Sequence, residues 1–198
     1  MKNLNLIISG VGGQGIILAS DIFAEVALAA GYDTKKTDTL GMAQRGGSVV
    51  SHIRAGAKVY SPLIKKGQAD IMLGFEKLEA MRWAQFLNEK STVIVNNYKI
   101  PPSTVNLGKD SYPDDEEIFG ILKGKTSRVI TVSGTEHAIS LGDIRVLNIF
   151  LLGCASVFLP FEIQVWMDVI KQRLPAKIVP INISAFNKGR KEIGDGTF

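Results

Sequence analysis

With 198 residues, 45% of them hydrophobic and 21% charged, the chain has room for one well-filled core and is too apolar to remain disordered. Its 23 basic and 19 acidic residues leave a dispersed net charge of +4 with no basic arm, which argues against nucleic acid as a partner. Cys154 has no second cysteine to join, and with only His52 and His137 beside it neither a disulfide, an iron–sulfur cluster nor a zinc site is expected on this chain.

Met1-Lys2-Asn3-Leu4 runs straight into a strand-like segment, without an apolar leader or a small-residue cleavage site. Leu4 to Ser9 reads as a buried strand, and Ile16 to Ala30 as a helix with Ile16, Ala19, Phe23, Val26, Ala27 and Ala30 on one period and Gly31 as the stop. Tyr32 to Thr37 is a second strand, weakened by Lys35 and Lys36. Ser48 to Arg54 and Val59 to Leu63 flank Ala55-Gly56-Ala57-Lys58, which predicts an antiparallel hairpin. A strand over Ala69 to Phe75 leads to a helix over Glu76 to Asn88, then a strand over Thr92 to Asn96. Pro113 to Leu122 is a helix with acidic residues in its first turn, and Val129 to Ser133 the next strand. Helices follow over Thr135 to Ser140, Asp143 to Phe158 and Glu162 to Leu174, with a last one from a cap at Asn182 to about Glu192. The apolar run Val146 to Leu159 is shorter than the ~20 residues of a membrane span. It reads as a buried or interface helix, and a cytoplasmic protein with no membrane contact is expected. The alternation of strands and helices predicts a single α/β domain over residues 1–198: three layers, α/β/α, around a mostly parallel Rossmann-like sheet with an inserted antiparallel hairpin.

Two glycine clusters stand out. Gly10-Val11-Gly12-Gly13-Gln14-Gly15 joins the first strand to the first helix, and Gly10, Gly12 and Gly15 satisfy G-x-G-x-x-G in the context that pattern requires. Such a turn lets backbone approach an anion at a helix N-terminus, or lets two backbones pack closely. Asp38, near the end of the second strand, is placed to meet a ribose, so a free-standing NAD(P)- or FAD-binding enzyme stays open. Against it, a second glycine loop follows where a helix belongs. That loop, Gly41-Met42-Ala43-Gln44-Arg45-Gly46-Gly47, leads into Ser48-Val49-Val50-Ser51-His52-Ile53-Arg54. Arg45 can grip a carboxylate or phosphate with two hydrogen bonds, or tie down its own loop.

The two clusters together resemble the gamma subunit or domain of 2-oxoacid:ferredoxin oxidoreductases, in particular the small subunit of the indolepyruvate enzymes. Met42-Ala43-Gln44-Arg45-Gly46-Gly47 before the strand Ser48-Val49-Val50-Ser51-His52-Ile53-Arg54 carries the likeness, with Asp70, Glu76, Asn96, Leu141-Gly142, Asn148, Leu152-Gly153, Asn182 and Phe186-Asn187-Lys188-Gly189 along nearly the whole chain. The resemblance implies oxidative decarboxylation of a 2-oxoacid, indolepyruvate or another aryl pyruvate, to an acyl-CoA with electrons passed to ferredoxin. It implies thiamine diphosphate and iron–sulfur clusters on large partner subunits, none on this chain, CoA as co-substrate, and ferredoxin as a partner met through the complex. No catalytic residue is assigned here. The candidate ligand or partner contacts are Gly10, Gly12, Gly13, Gln14, Gly15, Gln44, Arg45, Gly46, Gly47 and Arg54. A non-enzymatic interaction module is the remaining alternative. His52 alternates with Val50 and Arg54 on a strand and reads as a structural or interface histidine. His137 reads as a capping or solvated residue, Asp114 to Glu117 as a solvated helix start rather than a metal cluster, and Lys188, Arg190 and Lys191 as a charged last turn.

Overall fold

The computed structural model describes residues 3–40 and 46–194. In chain order the elements are β1 (Leu4–Val11), α1 (Ile16–Ala29), β2 (Asp33–Leu40), β3 (Ser48–Gly56), β4 (Ile71–Gly74), α2 (Lys77–Arg82) and β5 (Thr92–Asn96). The second half adds α3 (Ser103–Asn106), α4 (Asp115–Lys123), β6 (Arg128–Val132), α5 (Gly134–Ser140), α6 (Leu147–Ser156), α7 (Ile163–Arg173) and α8 (Val179–Ile193).

Side-chain alternation along the strands builds three layers. Leu6 and Ile8 of β1, Leu73 of β4 and Ile94 of β5 face a core shared with α1, α6, α7 and α8, where Phe23, Phe150, Trp166 and Phe186 are fully buried. Ile7, Met72, Val93 and Val95 point the other way, onto Ala80 of α2 and Ile118 and Leu122 of α4. Burying each such Leu, Ile or Phe contributes about 1.5–3 kcal/mol. The sheet order is β2-β3-β1-β4-β5-β6. Only β3 opposes the common direction, pairing antiparallel with both β1 and β2, while β1, β4, β5 and β6 run parallel.

The inserted hairpin is therefore β2–β3, with the second glycine loop as its connection, and not Ser48–Arg54 with Val59–Leu63. Both edges of β3 are taken, by Leu4 to Val11 on one side and Asp33 to Leu40 on the other. Val59 instead donates its N–H to Asp33 Oδ2 at 2.7 Å, the Ser61 carbonyl accepts from Arg54 Nη1 at 3.0 Å, and Pro62 has no N–H for a ladder. The helix expected over Glu76 to Asn88 is shorter: Glu76 caps α2, which ends at Arg82, and a 3₁₀ turn covers Ala84–Phe86. The last helix starts earlier than expected. Pro180 sits in its first turn, and Asn182 lies inside it, buried, with Nδ2 donating to the Ile178 carbonyl at 2.8 Å instead of capping.

All ten residues of α6 are buried, as an all-round apolar helix requires, and among the described residues no helix is long and apolar enough to cross a membrane. Its contact with α8 is backbone to backbone. A Cβ on Gly153 would stand 2.1 Å from the Phe186 carbonyl oxygen, and one on Gly189 2.0 Å from that of Phe150.

His52 is buried against the rings of Phe86, at 5.0 Å, and Trp83, at 6.2 Å, and its Nδ1 accepts from the Ile64 N–H at 3.4 Å. Burial holds its pKa below the ordinary 6.5. The neutral ring belongs to the folded state, so its contribution is complete above 6.5 and is lost as pH falls through the lowered folded value. We expect the urea midpoint of the wild type to decline as pH falls below about 6.5, and a His52→Gln chain to lose that part of the decline. Parallel pH profiles of the two chains would contradict the assignment.

Candidate functional site

The carboxyl ends of β1, β4, β5 and β6 open on one side of the molecule, and the crossovers leave β1 and β4 in opposite senses, the arrangement that leaves a crevice at a sheet's switch point. The first glycine turn fills its rim. Gly13 has φ +107° and Gly15 φ +80°, left-handed values that a side chain disfavours, while a Cβ on Gly10 would stand 2.7 Å from Cβ of Phe75. Gln14 is a brace in this turn. Its Oε1 accepts from the Val11 N–H at 2.8 Å and its Nε2 donates to the Phe75 carbonyl at 3.0 Å. Asn96, fully buried, extends the brace across the strand ends. Its Nδ2 donates to the same Phe75 carbonyl at 3.1 Å and to Thr135 Oγ1 at 2.9 Å, and its Oδ1 accepts from the Thr135 N–H at 3.1 Å. One polar chain thus links β1, β4, β5 and the start of α5.

The second glycine loop returns to the first. The Gly12 N–H donates to the Gly47 carbonyl at 2.8 Å, and the Gly46 N–H to the Gly12 carbonyl at 3.3 Å. Gln44 and Arg45 lie outside the described residues. Behind the turn is a cavity of about 520 Å³, lined by Gly12, Gly13, Gln14, Gly15 and Gly46 together with Leu18, Tyr98, Ile100, Thr135, Ile144, Arg145, Leu147 and Asn148. The wall at Tyr98 and Ile100 is held by Glu76, whose buried carboxylate accepts from the N–H groups of Glu79, at 2.9 Å, and Ile100, at 3.0 Å, and from the Tyr112 hydroxyl. Burial pushes the Tyr112 pKa upward, and the neighbouring Glu76 carboxylate adds to the shift.

The structure brings Gly46 and Gly47 to the first glycine turn and sets Arg54 apart. Ser48 lies beside Val11, but Arg54, six residues along β3, lies beside Asn5 at the far end of β1, roughly 20 Å away at the rise of a strand. Its guanidinium is occupied by Asn5 Oδ1 and the Ser61 carbonyl, both at 3.0 Å. Asp38 is occupied as well, by Ser51 Oγ at 2.6 Å, Ser20 Oγ at 3.3 Å and Lys36 Nζ at 2.9 Å. Because β3 intervenes between β1 and β2, Asp38 also stands one strand too far out for the ribose of a dinucleotide on the first turn. His137 is in the last turn of α5, against Phe150 and paired with Glu192 at 3.0 Å, and caps nothing. Asp114 caps α4 through the Glu117 N–H, and among the described residues no group of three His, Cys, Asp or Glu is arranged to hold a metal. The sequence does not mark Asn148 or Thr135 as lining residues, although Asn148 interrupts an apolar run and is among the residues that carry the resemblance.

The fold and the cavity define an α/β subunit type in which a glycine-rich first turn is locked to a glycine-rich hairpin loop. Residues 5–192 match the family model for pyruvate ferredoxin/flavodoxin oxidoreductase, and the chain belongs to that family. It is similar in particular to the indolepyruvate oxidoreductase subunit IorB of Archaeoglobus fulgidus, 40% identical over 98% of this chain and 96% of the relative. The IorB of Pyrococcus horikoshii is 35% identical over 96% of each chain. Among solved structures the fold is shared with a keto/oxoacid ferredoxin oxidoreductase gamma subunit from Geobacter sulfurreducens, at TM-score 0.71 and 21% identity over 96% of this chain and 98% of that one. It is shared also with 2-oxoglutarate:ferredoxin oxidoreductase from Magnetococcus marinus, at TM-score 0.77 and 19% identity, where it covers 98% of this chain and 31% of the longer one.

Proposed function

We propose that this chain is the cofactor-free subunit of an indolepyruvate- or aryl-pyruvate-oxidising ferredoxin oxidoreductase. The observation that carries the reading is the end-to-end similarity, at 40% and 35% identity, to relatives named as indolepyruvate oxidoreductase subunits. In the assembled enzyme the substrate's carboxylate leaves as carbon dioxide, its acyl group joins the sulfur of CoA, and two electrons pass to ferredoxin with release of a proton. Thiamine diphosphate and iron–sulfur clusters belong to the larger partner subunits in this reading. The part of this chain is then binding and positioning: the face bearing the two glycine clusters meets the partner or CoA. The mutual hydrogen bonds of Gly12 with Gly46 and Gly47 support that use, because they hold these two glycines against the first turn, where Gly46 lines the cavity.

Co-expression with the large subunit is the test. The purified chain alone is expected to be colourless and inactive with every 2-oxoacid, and the complex to turn over an aryl pyruvate in a CoA-dependent manner. Arg45→Ala is expected to leave the melting temperature of the isolated chain within a few degrees of the wild type. Loss of a desolvated arginine contact should nevertheless weaken assembly or CoA-dependent turnover at least about tenfold, or 1.4 kcal/mol. Unchanged assembly and turnover would remove Arg45 from the site. Turnover by the chain alone would refute the subunit reading itself.

A further inference from the structure

A buried carboxylate on α2 reaches the root of the second glycine loop. Glu79, 3% exposed, accepts through Oε2 from the hydroxyl of Ser48 and through Oε1 from Arg82 Nη1 at 2.6 Å. Neither the helix nor the arginine requires that burial. Glu76 already caps α2, and Arg82, three residues along with its side chain 42% exposed, would meet the same carboxylate in solvent. Taking a carboxylate out of water is unfavourable unless it makes contacts that only the interior offers. Here that contact is Ser48.

Ser48 is the end rung of β3, where its partner on β1 is Val11. End rungs of a ladder open more readily than central ones. Immediately beyond this one come the two hydrogen bonds that join loop to turn, from the Gly12 N–H to the Gly47 carbonyl and from the Gly46 N–H to the Gly12 carbonyl. A tie from α2 has a firm base. The helix sits on the end of β4, where a Cβ on Gly74 would stand 2.6 Å from Cβ of Ala80, the residue after Glu79.

We propose that Glu79, acting through Ser48, is the positioning residue of the second glycine loop: it locks Gly46 and Gly47 onto the first turn and so sets the face that meets the large partner subunit. The docking half of the inference rests on the functional reading above; the lock itself does not. An amide at position 79 still bridges, its oxygen accepting from Arg82 and its NH₂ donating to Ser48 Oγ, whereas alanine at position 48 or 79 breaks the link. Ser9 supplies the contrast. It pairs with Val50 and faces the same layer, fully buried, and its hydroxyl has no hydrogen-bond partner among the described residues.

The experiment is amide hydrogen exchange on the ¹⁵N-labelled full chain, with affinity for the large subunit measured on the same preparations. Ser48→Ala and Glu79→Ala are each expected to speed exchange at Gly12 and Gly46 at least about tenfold beyond any change at Ile94, a core amide that reports global opening. The double variant should match the faster single one, because a link is broken only once. Glu79→Gln and Ser9→Ala should stay within about twofold of the wild type. Affinity for the large subunit is expected to fall at least about fivefold in both alanine variants and to return in Glu79→Gln. Unchanged exchange at Gly12 in the alanine variants, multiplied effects in the double variant, or equal acceleration in Ser9→Ala would overturn the lock; if Glu79→Ala gives no dispersed spectrum, Ser48→Ala decides. Accelerated exchange with unchanged affinity would overturn the role in docking. A wild-type chain that does not bind the large subunit would instead refute the functional reading, with exchange still deciding the lock.

Discussion

Replacing Gly189 with valine is expected to destabilise the chain more than any exposed substitution, by about 3 kcal/mol or more, because overpacking against backbone cannot be relieved by a rotamer change. At position 189 a Cβ would lie 2.0 Å from the Phe150 carbonyl oxygen and 3.0 Å from the Cys154 nitrogen, so α6 and α8 would have to separate. These helices carry Phe150, Leu151, Leu152 and Phe186 into the core, and a separation would loosen the packing around all four. For a domain of this size the loss corresponds to a fall in melting temperature of roughly 6–12 °C. Gly120→Ala in α4 is the control: a Cβ there meets nothing within 4 Å, and removing a mid-helix glycine should stabilise by about 0.5–1 kcal/mol. Calorimetric melts of both variants beside the wild type check the pair. Coincident melting of Gly189→Val and wild type would mean that the two helices are not in backbone contact.

The second large effect is expected at Glu76. Alanine there removes the N-cap of α2, worth about 0.5–2 kcal/mol, and leaves the half-buried donors of Ile100 and Tyr112 without their acceptor, at about 1 kcal/mol for each such group. A total loss near 3 kcal/mol follows. Gln, which keeps one acceptor oxygen but brings an NH₂ towards groups that already donate, should fall between wild type and alanine. Urea denaturation of the three chains measures the order. A stability of Glu76→Ala within 1 kcal/mol of wild type would show that Tyr98 and Ile100 are held in place by other contacts.

What was legible in the sequence followed from local rules. The apolar run Leu4 to Ser9, the period from Ile16 and the glycines between them specify β1, the turn and α1 without reference to the rest of the chain. Non-local pairing was not legible. Val59 to Leu63 has strand-like composition, and nothing local reveals that β3 already has a partner on each side. Lys35 and Lys36 weaken β2 by propensity, yet the strand runs on to Leu40, with Lys36 neutralised by Asp21 and Asp38. The candidate site divides in the same way. Its glycines are contiguous motifs, while Thr135 and Asn148 reach it from the other end of the chain through the packing of α5 and α6. Arg54 stands apart from the glycine turn because six residues along β3 carry it the length of the sheet, a separation that a contiguous motif does not reveal.

The position of β2 at the end of the strand order has a consequence for solubility. One side of that strand is paired with β3 and the other presents bare main-chain donors and acceptors, a template on which a second extended chain could grow. Its sequence, Asp33-Thr34-Lys35-Lys36-Thr37-Asp38-Thr39-Leu40, puts an exposed lysine on one face and a lysine–aspartate pair on the other. Stacking identical copies edge to edge would crowd those cations together, so the charge that makes β2 a poor strand by propensity also guards the open margin of the sheet against fibrous growth.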